Sequence, residues 1–138
     1  LLAILFVDLD YFKKINDTYG HGAGDKILRE VAGIIRETIR RSDSAFRYGG
    51  EEMAVILYAS PVELALQVAE NIRKKIDQTT FTTEDGSQNV PVTISLGVAE
   101  YHRDMKDFHE LINRADQALY SSKHNGRNRA TPWKPGLS

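Results

Sequence analysis

The chain opens on an unbroken apolar run, Leu1 to Val7. Its strand length and lack of alternation predict a strand buried on both faces. Residues 11–18 read as a short helix, which the stretch Tyr19-Gly20-His21-Gly22-Ala23-Gly24 is expected to break. In the long helix that follows, Ile27, Leu28, Val31, Ile35 and Ile39 recur at helical spacing on one face. Residues 44–48 and 53–58 are short strands flanking Gly49-Gly50-Glu51-Glu52. Pro61 suits the first turn of another helix, whose stripe is Ala65, Ala69, Ile72 and Ile76. Residues 81–92 predict a small hairpin around Glu84-Asp85-Gly86, and residues 92–99 a strand. Phe108, Leu111, Ile112, Ala115 and Leu119 mark the last amphipathic helix, and a short strand near residues 128–133 closes the order β-α-α-β-β-α-β-α-β. This pattern predicts an α/β (α+β) sandwich with a mixed, mainly antiparallel five-stranded sheet flanked by helices. No repeat or interior linker divides the 138 residues, so a single domain is expected.

Composition excludes more than it identifies. Apolar residues at 41% and charged residues at 27% fit a soluble globular protein. A net charge of -1 gives no basic footprint for nucleic acid or an anionic membrane. Without cysteine there are neither disulfides nor thiolate metal sites. The opening run is too short to span a bilayer and too strand-like for a signal sequence. Starting without a leader, the chain reads as a segment cut from something longer.

The candidate chemistry is acidic. Glu51 and Glu52 follow two glycines in a turn, where glycine can supply the positive φ of a tight turn. Alone, this stretch is an ordinary hairpin. Asp8 and Asp10, however, lie just past the end of the first strand, where open sheets place ligand-binding groups. Asp8 with Glu51 and Glu52 could supply the hard oxygen ligands that Mg²⁺ takes alongside phosphates and water. The simpler reading, that an aspartate caps the next helix, suits Asp10 better than Asp8. The Gly20–Lys26 stretch lacks P-loop spacing. Asp25 serves as a helix-start residue or, exposed there, as an acceptor for both N–H groups of a guanine edge, with Asn16 nearby. His21 has no second histidine at ligand spacing and reads as structural. Lys123 and Arg127 are a solvated basic end or, beside a metal site, a triphosphate clamp.

Several blocks then carry a resemblance over nearly the whole chain. "RYGGEEM" resembles the signature turn of GGDEF domains, the diguanylate cyclases. "DLDYFKKINDTYGHGAGDKIL", "RRSDSAFRYGGEE", "VTISLGVA" and "ADQALYSSKHNGRN" resemble further family blocks in family order. Two departures stand out. Met53 replaces the usual phenylalanine, a swap of one apolar side chain for another. The family's upstream Asp-x-Leu-Thr-x-Leu-x-Asn-Arg segment is absent, as expected of a truncated chain.

The resemblance implies a polymerase-palm-like fold and condensation of two GTP into cyclic di-GMP with release of pyrophosphate. It implies Mg²⁺, or Mn²⁺, held by Asp8, Glu51 and the Leu9 carbonyl, with Glu52 a further metal or proton-handling carboxylate. Asn16 and Asp25 would read guanine, Gly49 and Gly50 would admit the nucleotide, and Lys13, Lys123 and Arg127 would neutralise phosphates. Catalysis would need a homodimer, in the cytoplasm, without nucleic acid or membrane contact by this segment. Arg40 and Asp43 fit the family's Arg-x-x-Asp product-inhibition motif. Asn71 stands where a second-patch arginine is frequent, with Arg73 and Lys74 as substitutes. The competing readings are a silent cyclic di-GMP or GTP binding module, a cyclase that accepts ATP, and a structural dimerisation domain. The retained carboxylates argue against the first and third, and Asp25 against the second.

Overall fold

A computed structural model describes residues 1–137. Strand β1 (Leu2–Leu9) lies at the centre of a sheet ordered β2-β3-β1-β6-β7. Its neighbours β3 (Glu52–Tyr58) and β6 (Ile94–Glu100) both run antiparallel to it. Edge strand β2 (Ser44–Arg47) is antiparallel to β3, and β7 (Ala130–Pro132) is parallel to β6. The sheet is therefore mixed and mainly antiparallel, as the apolar pattern predicts. The small hairpin forms separately as β4 (Phe81–Thr82) and β5 (Asn89–Val90).

The absence of alternation in β1 has the expected cause. Ala3, Leu5, Val7 and Leu9 enter the larger core, and Ile4 and Phe6 a smaller one on the opposite face. Helices α1 (Phe12–Tyr19), α2 (His21–Thr38) and α3 (Val62–Gln78) close the larger core with Ile15, Ile27, Val31, Ile35, Ile72 and Ile76. Helix α4 (Phe108–His124) closes the smaller one with Leu111, Ala115 and Leu119. Each fully buried isoleucine or leucine contributes about 1.5–3 kcal/mol. Both layers meet on β1, so the site at its C-terminal end stands on the best-buried strand.

The glycine-rich stretch differs from expectation. Gly20 alone breaks the helix: with φ 95 it ends α1, donating to the Asn16 carbonyl at 2.9 Å, and starts α2. Gly22 and Gly24 lie inside α2's first turns. At Gly24 the reason is steric, since a Cβ there would come 1.9 Å from Asn16 Oδ1. Helical propensity disfavours glycine at such a position, but the close crossing of α1 and α2 demands it.

Candidate active site

Strand β1 extends to Leu9, so Asp8 sits within the strand rather than past it, paired with Glu52 on β3 and Ser95 on β6. Its side chain is only 5% exposed. One carboxylate oxygen, Oδ2, contacts the Lys123 ammonium from α4. The other, Oδ1, is buried without a hydrogen-bond partner among the described residues. Burial pushes the Asp8 carboxyl above its ordinary value. The hydrogen bond and charge of Lys123 oppose that rise, and the negative charges of Glu51 and Glu52 add to it. The turn carboxylates thus act electrostatically on the strand carboxylate across two adjacent strands. The Leu9 N–H, next in line, donates to the Glu51 carbonyl at 3.4 Å.

The turn is built differently from expectation. Neither Gly49 nor Gly50 adopts a positive φ, and a Cβ on Gly50 would meet no protein atom within 4 Å. What the pair leaves is open space in front of the turn. Arg47 fixes the turn: its guanidinium donates to the Gly50 carbonyl at 2.6 and 2.9 Å and to that of Gly49 at 3.2 Å.

Beside the turn runs a groove of about 400 Å³ lined by Asp25, Leu28, Arg29, Arg36, Gly50 and Glu52, among others. Asp25 is exposed on α2, while Asn16 on α1 has a buried Oδ1 close to Gly24 and without a hydrogen-bond partner among the described residues. Arg29, Arg36 and Arg47 also line the groove and are not singled out from the sequence, and so does buried Met53, which reads there only as an apolar swap. For Arg29 and Arg36 the signal was present: they follow Asp25 at helical spacing on one face of α2. Lys13 is exposed in α1's first turn and His21 at α2's start. On the far side of Asp8, Lys123 meets the carboxylate and Arg127 lies 4.6 Å above the Tyr11 ring.

Asp10 does not cap α1. That cap position belongs to Tyr11 in a left-handed conformation (φ 56), without a side-chain cap bond. The Asp10 carboxylate is buried and turned across the sheet end. It accepts from Ser95 Oγ at 2.6 Å, Thr93 Oγ1 at 2.7 Å and the Asn128 N–H at 3.0 Å.

Arg40 and Asp43 come together past the C-terminal end of α2. The Asp43 side chain is 2% exposed, and both of its oxygens are occupied within the chain. Oδ2 accepts from Arg40 N–H at 3.0 Å and Nε at 3.1 Å, and Oδ1 from Arg40 Nη2 and the Tyr58 N–H, each at 3.1 Å. Burial raises the Asp43 carboxyl, but the Arg40 and Tyr58 hydrogen bonds outweigh it and hold the group below its ordinary value. Arg73, one candidate substitute for the second patch, is engaged elsewhere, donating to Glu70 and at 3.0 Å to Asn128 Oδ1. Lys74 is exposed and Asn71 faces solvent on α3.

The donor set at Asp8 fits a hard divalent cation: every candidate group is an oxygen, and one buried carboxylate oxygen has no partner. Among the described residues no three His, Cys, Asp or Glu side chains cluster closely enough to hold a metal. Mg²⁺ does not need such a cage, since phosphates and water complete its octahedron.

Fold and sheet order define a palm-like α/β domain. The sequence profile of the family "Diguanylate cyclase, GGDEF domain" matches residues 1–129, and the chain belongs to that family. Diguanylate cyclase A of Treponema denticola is 48% identical over 136 residues, 99% of this chain and 36% of its own length. Diguanylate cyclase DosC of Escherichia coli K12 is 40% identical over 136 residues, 99% of this chain and 29% of its own length. The chain thus spans about a third of the curated relatives it matches. The GGDEF domain of DgcB from Caulobacter crescentus, solved in complex with c-di-GMP, superposes with TM-score 0.90 at 35% identity, over 95% of this chain and 77% of that one. The active GGEEF domain of a Vibrio cholerae diguanylate cyclase gives TM-score 0.91 at 35% identity, over 98% of this chain and 84% of that one. No helix among the described residues is long and apolar enough to cross a membrane.

Proposed function

We propose that the chain is a catalytic GGDEF domain that condenses two GTP into cyclic di-GMP and two pyrophosphates. The observation that carries this reading is the buried, half-partnered carboxylate of Asp8 under the charges of Glu51 and Glu52, the second of which lines the open groove. Burial makes a charge here expensive, and an orphaned carboxylate oxygen calls for a cation. Asp8, Glu51 and the Leu9 carbonyl would hold Mg²⁺ or Mn²⁺. Bound there, the metal supplies a lowered barrier for the ribose 3′-oxygen to lose its proton, and charge stabilisation on the phosphoryl oxygens.

The chain's own groups do the rest. Asp25 and Asn16 recognise the guanine edge, and Gly49 and Gly50 leave room for the nucleotide to approach the carboxylates. Lys123, Arg127 and Lys13 neutralise the triphosphate, and Lys123 moves from Asp8 to phosphate as nucleotide enters. Glu52 handles a proton or a further metal contact. In this reading each chain binds one GTP, so two copies face each other, and each 3′-oxygen attacks the α-phosphorus of the partner's nucleotide, expelling pyrophosphate. Residues 1–138 are one catalytic unit in this reading, acting in the cytoplasm without nucleic acid or membrane contact.

Product inhibition belongs to the same proposal, with roles divided by the geometry. Asp43 has no free acceptor, so it positions Arg40, whose side chain is 51% exposed and meets the phosphate of cyclic di-GMP. A guanine would reach Asp43 only by opening that pair. With Asn71 on α3 and Arg73 engaged, the second patch is weak, and inhibition is correspondingly shallow.

The test is direct: incubate the chain with GTP and Mg²⁺ and resolve products by chromatography. Cyclic di-GMP is expected, with progress curves that bend modestly when product is added at the start. A chain that binds GTP but forms no product, under conditions that populate the dimer, overturns the catalytic reading in favour of a binding module.

A further inference from the structure

Three residues in a row at the turn between α4 and β7 have positive φ: Gly126 at 121, Arg127 at 62 and Asn128 at 46. Glycine adopts such angles freely, but at Arg127 and Asn128 the Cβ carries a steric cost that something else must offset. Two groups hold the turn. The Arg127 N–H donates to the Ser122 carbonyl at 2.9 Å, and the Asn128 N–H donates to Asp10 Oδ2 at 3.0 Å. The second bond reaches across 118 residues, to a buried carboxylate that Ser95 and Thr93 on the β6 side also hold in place. Asn128 is fixed from the other direction too, where its Oδ1 accepts from Arg73 Nη1. The consequence is visible at Arg127. Its guanidinium lies over the Tyr11 ring at 4.6 Å with Nη1 4.0 Å from Asp10 Oδ1, beside the Asp8–Lys123 contact.

We infer that Asp10 is a positioning residue for the triphosphate end of the site: it holds the α4–β7 turn in its left-handed form and so aims Arg127. Asp10 itself meets no substrate, because its oxygens are spent on Ser95, Thr93 and Asn128. Its negative charge also limits Arg127, keeping the guanidinium docked near the strand end rather than extended into water. The nearby charged groups are Arg127 on its own turn, Asp8 and Lys123 at the strand end, and Arg73 from α3 through Asn128. None of them replaces the bond to the Asn128 N–H. This inference rests on the proposal that the chain binds GTP, and it adds a residue that acts only on the phosphates.

Calorimetry with a GTP analogue carrying a methylene α–β bridge, and with guanosine, tests it. In Asp10→Asn the amide offers one acceptor where the carboxylate offers two. Affinity for the analogue should fall roughly tenfold, as expected for losing charge-assisted hydrogen bonds. Affinity for guanosine should stay within about twofold, since Asn16 and Asp25 are untouched. In an Arg127→Ala background, Asp10→Asn should have no further effect, because a residue acting through Arg127 cannot act without it. Thr93→Val, which removes one donor to Asp10, gives the same selective loss at smaller size and serves if Asp10→Asn fails to fold. Equal losses for analogue and guanosine, or additivity with Arg127→Ala, overturn the positioning role. Wild type that ignores the analogue overturns the substrate reading itself; wild type that binds it as tightly as both variants overturns only the role of Asp10.

Discussion

The two ends of β3 are flanked by carboxylates of opposite character, Asp8 on β1 and Asp43 before β2. At the Glu52 end, Asp8 is buried against Lys123 with one oxygen unpartnered, and its carboxyl sits above the ordinary value. At the Tyr58 end, Asp43 is equally withdrawn from water, yet four donor contacts from Arg40 and the Tyr58 N–H hold it below that value. Each has a cation beside it; burial and the charges of Glu51 and Glu52 raise Asp8, whereas the hydrogen bonds from Arg40 and Tyr58 outweigh burial at Asp43. A satisfied buried carboxylate knits a loop to a strand. An unsatisfied one stores a preference for a ligand that can complete it, at a cost to the empty protein.

Removing the charge at the unsatisfied end breaks the comparison most sharply. Asp8→Asn and Glu51→Gln should each lower turnover by about 10²–10³-fold, the scale of losing one group that stabilises developing charge. Asp8→Asn should nonetheless leave the nucleotide-free chain at least as heat-stable as wild type at pH 7, since burial disfavours the ionised form. Calorimetric melting alongside the turnover assay checks both. A melting temperature well below wild type would show Asp8 to be structural, and retained turnover would remove it from the metal site.

The satisfied end should answer in stability. Asp43→Asn is expected to cost about 2 kcal/mol, for the hydrogen bonds it breaks to a charged group. For a domain of this size that lowers the melting temperature by roughly 5–10 °C. The pH dependence follows from the direction of its shift. A carboxyl whose folded value lies below the unfolded one stabilises the fold above the unfolded value, about 3.9, and loses that contribution as pH falls through the folded one. Urea melts of wild type and Asp43→Asn should differ most near neutrality and converge as pH falls through the lowered folded value of Asp43. A gap that persists in acid would mean that shape, not charge, accounts for the loss.

Asp25 extends the comparison to a carboxylate in open water. It is exposed, so Asp25→Ser should leave melting unchanged while lowering the preference for GTP over ATP about tenfold, since a serine hydroxyl cannot serve two guanine N–H groups. Competition kinetics read the ratio, and an unchanged ratio would take Asp25 out of base recognition.

Much of this architecture is legible in the chain. The unbroken run of β1, the stripes of α2, α3 and α4, and the turn residues each encode a local preference that tertiary packing did not overrule. Helix starts were harder. Gly22 and Gly24 look like loop residues because propensity is a local quantity, whereas glycine is required at 24 by Asn16 crossing at close range and at 22 the Glu84 side chain crowds the helix. Gly49 and Gly50 are legible as a turn, but the reason for them is not: no positive φ is needed, and the space they leave matters only once α2 faces it across the groove.

The aspartates show where the division falls. Two acids spaced by one residue at a strand end are visible in the sequence, and so are the family blocks that carry the resemblance. The fate of each acid is not. Asp8 and Asp10 have the same side chain and nearly the same place in the chain, yet one meets Lys123 and keeps an oxygen without a partner among the described residues, while the other meets Ser95, Thr93 and Asn128. Those partners lie more than eighty residues away, on β6, its preceding loop, and the α4–β7 turn. The periodicity of the chain determined which strands and helices form, because backbone conformation and burial of one face depend on neighbours a few residues apart. Which polar atoms are left unpaired depends on what the packed sheet brings next to them, and only the tertiary structure decided that.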